Sequence, residues 1–94
     1  MVGSDFPKNH FNLLGEHSIN LDDLKIEEGK TFCWGGEYAH DFSSRETLYV
    51  DPGVSEEFEP ILSKHSRHCD YLLLGNTHPE LQLEVLNQIE SKPF

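Results

Sequence analysis

The 94-residue sequence is poor in basic side chains, and this shortage limits the partners that the chain can bind. Seven lysine and arginine residues stand against seventeen aspartate and glutamate residues, which gives a formal net charge of −10. A surface of that sign repels the phosphates of nucleic acids and of anionic lipids. The acidic residues are spread along the chain, which is typical of a solvated surface. We therefore predict neither a nucleic-acid partner nor a membrane partner.

Long apolar runs and a disulfide framework are missing as well. The longest apolar run, YLLL at residues 71–74, is far shorter than a membrane-spanning helix. The first ten residues have neither the basic nor the apolar region of a signal peptide. Cys33 and Cys69 are too few for a disulfide framework and are typical of thiols in a reducing compartment. These absences predict a cytoplasmic protein.

The residues that are present suffice for one small folded domain. Ten aromatic residues argue against disorder, although the mean hydropathy is −0.53. A chain this short buries roughly 60–65% of the surface that it exposes when unfolded, so its core is thin. We predict a single small domain over residues 1–94, of α+β or truncated α/β class.

A β-hairpin over residues 29–51 is the clearest pattern. The alternation in residues 31–38 predicts a strand, and Gly35-Gly36 within it indicates a bulge or a close approach by another chain or ligand. A turn-prone link leads to a second strand over residues 46–50, with Thr47 and Tyr49 on the face opposite Leu48 and Val50. One face of the first strand carries three aromatic residues: Phe32, Trp34 and Tyr38.

Residues 70–91 predict a strand followed by a helix. The segment 70–75 has the continuous apolar character of a strand that is buried on both faces. Thr77 and Glu80 have the spacing of a capping box, and the helix is expected to continue to about Glu90. Its inner face is expected to carry Leu81, Val85, Leu86 and Ile89.

Two shorter helices are expected elsewhere in the chain. Ser4 or Asp5 has the residue type of an N-cap, with Pro7 in the first turn that follows. Pro60 interrupts the pattern over residues 54–70, so we expect a loop there with one short helix near residues 61–66.

These patterns, in this order, resemble the PfkB (ribokinase-like) carbohydrate kinase family over most of the chain. The resemblance is carried by GKTFCWGGEY at residues 29–38, RETL at 45–48, YLLLGN at 71–76 and PELQ at 79–82. In that family the hairpin is a lid that covers the sugar and often packs against the lid of a second subunit. The resemblance implies that residues 29–51 are lid-like and that residues 70–91 belong to the central sheet.

The resemblance also implies candidate site residues. Asn76, at the carboxyl end of a parallel strand, would face the sugar cleft, although it or Thr77 equally suits a helix cap. Trp34 and Tyr38 either stack on a sugar ring or fill a core or subunit contact. Arg45 is expected in a surface ion pair, with contact to a phosphate as the minor alternative. The predicted oligomer contact consists of Phe32, Trp34, Tyr38 and Tyr49.

The catalytic part of the family pattern is missing. The family's Gly-Ala-Gly-Asp motif supplies the catalytic base and the anion hole, and none of the seven glycines here lies in such a motif. Phosphoryl transfer depends on positioned groups of this kind. We therefore predict no catalytic residue and no cofactor for this chain alone, since ATP and Mg²⁺ are implied only for a full-length family member.

Three functional hypotheses follow from the sequence. The chain is either a segment or truncated homologue of an ATP-dependent sugar kinase, or a non-catalytic oligomerising module derived from the kinase lid. We predict a homo-oligomer in both cases, because an exposed apolar strand edge and the aromatic hairpin need cover. A third hypothesis is a metal site, for which His65, His68 and Cys69 are weak candidates, because no second cluster supplies further ligands.

Overall fold

The computed structural model describes residues 1–94 as a small mixed α+β protein with two two-stranded sheets and two helices. The α+β class predicted from the sequence is therefore confirmed. The chain forms two compact units, one of Met1–Ile19 with Leu24–Phe58 and one of Asn20–Asp23 with Glu59–Phe94. The single domain over residues 1–94 stays a prediction.

The first unit combines a short parallel strand pair, a helix and a hairpin. Strands β1 and β2 pair in parallel through Val2 with Ile26 and Gly3 with Glu27. The elements in chain order are β1 (Val2–Gly3), α1 (Lys8–Glu16), β2 (Ile26–Glu27), β3 (Cys33–Tyr38), β4 (Arg45–Asp51) and a 3₁₀ turn (Gly53–Glu57).

Polar contacts between residues 3–5 and residues 29–31 hold this unit together. The Gly3 N–H donates to the Thr31 hydroxyl at 3.0 Å. The Thr31 N–H and hydroxyl both donate to the Asp5 carboxylate at 2.7 Å. Ser4 Oγ lies 3.3 Å from the Gly29 carbonyl oxygen, to which it donates. The expectation that Ser4 or Asp5 caps α1 is therefore wrong, because both side chains bond to residues 29–31 instead.

Helix α1 starts after Pro7 and has no side-chain cap at its beginning. Its end is closed by a left-handed residue, Ser18, at φ 55°. The Ser18 N–H donates to the Gly15 carbonyl at 2.9 Å, and the Ile19 N–H donates to the Leu14 carbonyl at 3.1 Å. These two bonds form the Schellman arrangement that satisfies the last carbonyl groups of a helix.

The predicted hairpin is confirmed, with strands β3 and β4 in antiparallel pairing. The predicted irregularity at Gly35-Gly36 is confirmed too, because the register shifts between these residues and leaves Leu48 without a partner. The shift corrects one expectation. Gly35 pairs with Tyr49 and Gly36 pairs with Thr47, so Thr47 and Tyr49 lie on opposite faces of the hairpin.

The second unit contains helix α2 (Pro79–Gln88). His78 is its N-cap and accepts a hydrogen bond from the Glu80 N–H, with 3.4 Å between the nitrogen atoms. The predicted capping box of Thr77 and Glu80 is therefore wrong, because the ring nitrogen of His78 takes the acceptor role. The helix ends at Gln88, two residues before the predicted end.

The predicted strand over residues 70–75 is wrong, since the structure forms no strand there. Its only regular pairing is with the chain end: the Leu72 N–H donates to the Phe94 carbonyl at 3.2 Å, and the Phe94 N–H donates to the Asp70 carbonyl at 2.9 Å. Tyr71 and Leu73 are 78% and 93% exposed, not buried. A strand needs neighbours for its hydrogen bonds, and one residue does not supply them.

The short helix expected near residues 61–66 is absent, and side chains brace a turn there instead. The Asp23 carboxylate accepts from the Ser63 N–H at 2.9 Å and from the Ser63 hydroxyl at 3.3 Å. The Gln88 side-chain amide accepts from the Leu62 N–H at 2.9 Å and donates to the Pro60 carbonyl at 2.7 Å. These side chains satisfy backbone groups of the segment, and the Arg67 N–H donates to the Ser63 carbonyl at 3.2 Å to close the turn, which does not continue as a helix.

Very little of the chain is buried. Only Val2, Gly3 and Pro60 are buried residues, and no side chain is fully enclosed. The chain exposes 7825 Å² of surface. For comparison, two separate compact proteins of the sizes of the two units, about 6.2 and 4.6 kDa, would together expose about 6,700 Å². The chain therefore exposes more surface than two compact proteins of these sizes. Neither helix has the length and apolar character needed to cross a bilayer.

Replacing Gly3 by Ala is expected to destabilise the first unit by about 2 kcal/mol or more, because the added Cβ would lie 2.5 Å from the Lys30 carbonyl carbon and 2.6 Å from the Thr31 nitrogen. Gly15→Ala is the matched control. It meets no atom within 4 Å and should stabilise α1 by about 0.5–1 kcal/mol. Urea unfolding of both variants measures the difference, and equal effects would contradict the described close approach.

Asp5 is expected to make stability depend on pH. The hydrogen bonds from the Thr31 hydroxyl and N–H hold the pKa of Asp5 below its usual value of 3.8. The stabilisation is therefore present above pH 3.8 and is lost as the pH falls through the lowered pKa. Asp5→Ala should lower the melting temperature at pH 7, and its difference from the unaltered chain should shrink in acid. A difference that is constant with pH would contradict the ionised contact.

Candidate binding face of the hairpin

The two faces of the hairpin differ in chemistry. The register places one set of side chains together, which we call the aromatic face, and the opposite set, which we call the acidic face. The aromatic face consists of Trp34, Gly36, Tyr38, Arg45, Thr47 and Val50. The acidic face consists of Cys33, Gly35, Glu37, Glu46, Tyr49 and Asp51.

Trp34 is fixed in place at the centre of the aromatic face. Its indole Nε1–H donates to the Thr47 hydroxyl at 3.2 Å. Its ring covers Gly36, where any side chain would collide with it. The Arg45 guanidinium carbon stands 5.1 Å from the ring centroid, which is cation–π distance. The expected surface ion pair of Arg45 is therefore wrong, because the guanidinium lies over an aromatic ring and no carboxylate is paired with it.

The rim of the aromatic face is open. Tyr38 is 49% exposed, and its ring centroid lies 6.1 Å from that of the exposed Phe42 in the hairpin turn. Phe42 has a positive φ of 57°, and the turn that carries it is braced by hydrogen bonds from Ser43 to the Asp41 carboxylate. Val50 is also exposed on this face. An apolar partner could therefore reach Tyr38, Phe42 and Val50 without any rearrangement of the strands.

The acidic face does not suit an apolar partner. Glu37 and Glu46 are directly opposite each other, where like charges repel. Asp51 completes the set and lies 3.8 Å from the Lys30 ammonium. The Tyr49 ring covers Gly35. The hydrogen bond between the Cys33 thiol and the Tyr49 hydroxyl, with 4.0 Å between sulfur and oxygen, raises the pKa of Tyr49. Solvent is the natural neighbour of this face.

The structure thus divides the predicted contact residues. Trp34 and Tyr38 share the aromatic face, Tyr49 lies on the acidic face, and Phe32 precedes β3 and is exposed. Asn76 is exposed and belongs to the second unit, whereas Trp34 and Tyr38 belong to the first. No sequence pattern indicates the contacts of Arg45 and Thr47 with Trp34, because these contacts depend on the bulge that sets the register.

The metal candidates do not form a ligand set. His65, His68 and Cys69 line one open cavity of about 390 Å³, together with Asp23. His68 Nε2 lies 3.2 Å from a carboxylate oxygen of Glu90. No group of three or more His, Cys, Asp or Glu side chains is arranged to hold a metal ion.

Comparison with known proteins adds no relative to this description. No protein-family model matches the chain, and no curated protein matches it.

Zinc is expected to leave the melting temperature of the chain unchanged. A structural zinc site would stabilise the fold by several kcal/mol through linkage, whereas His65, His68 and Cys69 form no such site. Thermal unfolding with and without Zn²⁺ measures this. A large rise that disappears in His65→Ala and Cys69→Ala would reinstate the metal hypothesis.

Proposed function

We propose that the chain is a fragment or truncated homologue of a PfkB-type, ATP-dependent sugar kinase that includes the lid hairpin, and that this portion alone does not transfer phosphate. The observation that carries the proposal is the β3–β4 hairpin, which follows a parallel strand pair and bears aromatic side chains on one face. A hairpin of this kind in this order is what the GKTFCWGGEY and RETL segments imply by their resemblance to the kinase lid.

The second unit supports the same proposal in a weaker form. Helix α2 follows the apolar segment 71–74, and the chain then returns to bond with Leu72 through Phe94. The direction of that return is parallel, which is the connection that a crossover helix makes in an α/β sheet. Asn76 lies between the segment and the helix, and in an α/β sheet of this kind it would stand where residues contact ligands.

No group of three or more His, Cys, Asp or Glu side chains is arranged to hold a metal ion. The Asp5, Asp23 and Asp41 carboxylates accept hydrogen bonds from neighbouring hydroxyl and N–H groups. We therefore assign no step of phosphoryl transfer to this chain.

A sugar bound on the aromatic face would meet Tyr38 more readily than Trp34. The Arg45 guanidinium covers one side of the indole, so a sugar that stacked there would have to displace it. Tyr38 has no such cover apart from its tilted contact with Phe42.

The purified chain is expected to phosphorylate no common sugar when supplied with ATP and Mg²⁺, because it lacks the groups that act as base and anion hole. Product formation is measured against a blank without protein. Phosphorylation that a single substitution in this chain abolishes would contradict the proposal.

Reading the coding sequence on both sides tests the origin of the chain. An in-frame Gly-Ala-Gly-Asp motif downstream supports the kinase, and a native stop codon after Phe94 supports the second candidate below.

The second candidate function is self-association through the aromatic face. It is favoured by the distribution of charge, because the only charged side chain on that face is Arg45, whereas Glu37, Glu46 and Asp51 all lie on the other face. In a chain of net charge −10, this is a surface on which two copies can meet without bringing carboxylates together. The exposed Tyr38, Phe42 and Val50 supply the apolar contact.

Tyr38→Thr is expected to dissociate the oligomer, and Tyr49→Thr is its matched control. The two tyrosines are similarly exposed, at 49% and 55%, and receive the same substitution, but they lie on opposite faces of the hairpin. Sedimentation at micromolar concentration should show a monomer only for Tyr38→Thr. Added salt should tighten association of the unaltered chain by screening its net charge.

Trp34, the only tryptophan, reports by fluorescence whether each variant keeps the hairpin fold. A monomer of 10.8 kDa for the unaltered chain, or equal effects of the two substitutions in folded variants, would contradict self-association on the aromatic face.

A further inference from the structure

The hairpin contains one residue more than its pairing uses, and that residue is Leu48. As far as the pair of Gly35 with Tyr49 the strands keep one register, and from the pair of Gly36 with Thr47 onward they keep another, shifted by one residue. Register is strongly specified where one face of a sheet is buried and weakly specified in glycine-rich strands. Neither β3 nor β4 contains a buried residue, so little in this hairpin holds the bulge where it is.

The same two strands can also pair without a bulge, in what we call the regular register. It extends the pairing that ends at Gly35 and Tyr49 by four pairs: Gly36 with Leu48, Glu37 with Thr47, Tyr38 with Glu46 and Ala39 with Arg45. In the structure the Ala39 N–H donates to the Ser44 carbonyl at 3.0 Å, which leaves a loop of residues 40–43. The regular register lengthens this loop to residues 40–44, and hairpin loops of four and five residues are both common.

Two contacts of the indole ring favour the observed register. The Trp34 Nε1–H donates to the Thr47 hydroxyl at 3.2 Å, and the Arg45 guanidinium carbon lies 5.1 Å from the ring centroid. Both contacts need Thr47 and Arg45 on the same face as Trp34, which is the face that the bulge gives them. The regular register would break both.

Two other features favour the regular register. The observed pairing places Glu37 directly opposite Glu46, where like charges repel, and leaves Leu48 without a partner. In the regular register Glu37 would lie opposite Thr47 and diagonal to Arg45, and Leu48 would be paired. The contributions on the two sides are of similar and small size, so the two registers differ little in free energy.

The register also decides which charge the aromatic face carries. A shift of one residue moves each side chain of a strand to the opposite face. In the part of β4 before the bulge, Arg45 and Thr47 would therefore leave the aromatic face, and Glu46 and Leu48 would replace them. The face carries a guanidinium in the observed register and a carboxylate in the regular one.

We propose that the hairpin is a two-register switch, in which a single chain exchanges between the observed and the regular register and so exchanges Arg45 for Glu46 on the aromatic face. A second copy of this acidic chain fits the observed register, because the regular one brings Glu46 of each copy into the contact. A basic partner fits the regular register. The exchange is a property of one chain, so the proposal rests neither on the kinase assignment nor on self-association.

Chemical exchange saturation transfer NMR on the isotope-labelled full chain, at a concentration where it is monomeric, tests the switch. A minor state of about 1–10% is expected at the amides of residues 36–39 and 44–48, whose pairing differs between the registers. The amides of Cys33 and Asp51 pair alike in both and should show no exchange. Exchange that includes Cys33 and Asp51, or no minor state at all, would overturn the proposal.

A disulfide supplies the reference for the regular register. Glu37→Cys with Thr47→Cys, in a chain that also carries Cys33→Ser and Cys69→Ser, should close in the regular register, because residues 37 and 47 lie on opposite faces in the observed one. The minor-state chemical shifts of the unaltered chain should match those of this cross-linked chain. Random-coil shifts would show fraying instead of a new register. Those shifts, or closure by Glu37→Cys with Glu46→Cys alone, would overturn the proposal.

Two substitutions should move the minor population in opposite directions. Glu46→Gln removes the charge opposite Glu37 and should lower that population about two- to fivefold. Trp34→Phe removes the indole N–H that bonds to Thr47 and should raise it about threefold or more. Glu84→Gln makes the same change of charge at an exposed position of the second unit and should leave it unchanged. Shifts in the same direction, or an equal effect of Glu84→Gln and Glu46→Gln, would contradict the switch.

Discussion

The constraint on which the structure depends is the small amount of apolar surface that its 94 residues remove from water. The buried residues are Val2, Gly3 and Pro60, of which only Val2 belongs to the hydrophobic core. Both units therefore rely on hydrogen bonds between segments that are distant in sequence. In the first unit Thr31 joins Gly3 to Asp5, and in the second Gln88 joins α2 to Leu62. Hydrogen bonds of this kind contribute about 1 kcal/mol each, so they fix geometry better than they supply stability.

Because little apolar surface is buried, apolar side chains remain exposed and available to a partner. An exposed apolar surface on a protein of high net charge is a place for a partner, and the chain has two such surfaces with different physics. The aromatic face is a set of side chains around a fixed Trp34, kept free of carboxylates by the pairing of β3 with β4. The segment at residues 71–75 forms no strand and exposes Tyr71 and Leu73.

Sequence reasoning succeeded where the local pattern decides the outcome. The alternation around Trp34 and the Gly35-Gly36 pair predicted the hairpin and its irregularity, because strand period and glycine content are local properties. It failed where tertiary bonds compete with propensity: Asp5 bonds to Thr31 instead of capping α1. The bulge at Leu48 moves Tyr49 to the other face of the hairpin, and it depends on how the two strands pair, which the local pattern does not determine. The segment 70–75 has the composition of a strand but lacks the neighbouring strands that it would need. The role of Asn76 in sugar binding stays a prediction.

The heat capacity change of unfolding, measured by calorimetry at a concentration where the chain is monomeric, tests the central claim most directly. This quantity scales with the apolar surface that unfolding exposes, and compact domains give about 12–15 cal/mol/K per residue. A chain that buries only about half of its unfolded surface is expected to give a broad transition with a value well below that range. A sharp transition with a value within the range would show that the monomer closes its own core and would contradict the account.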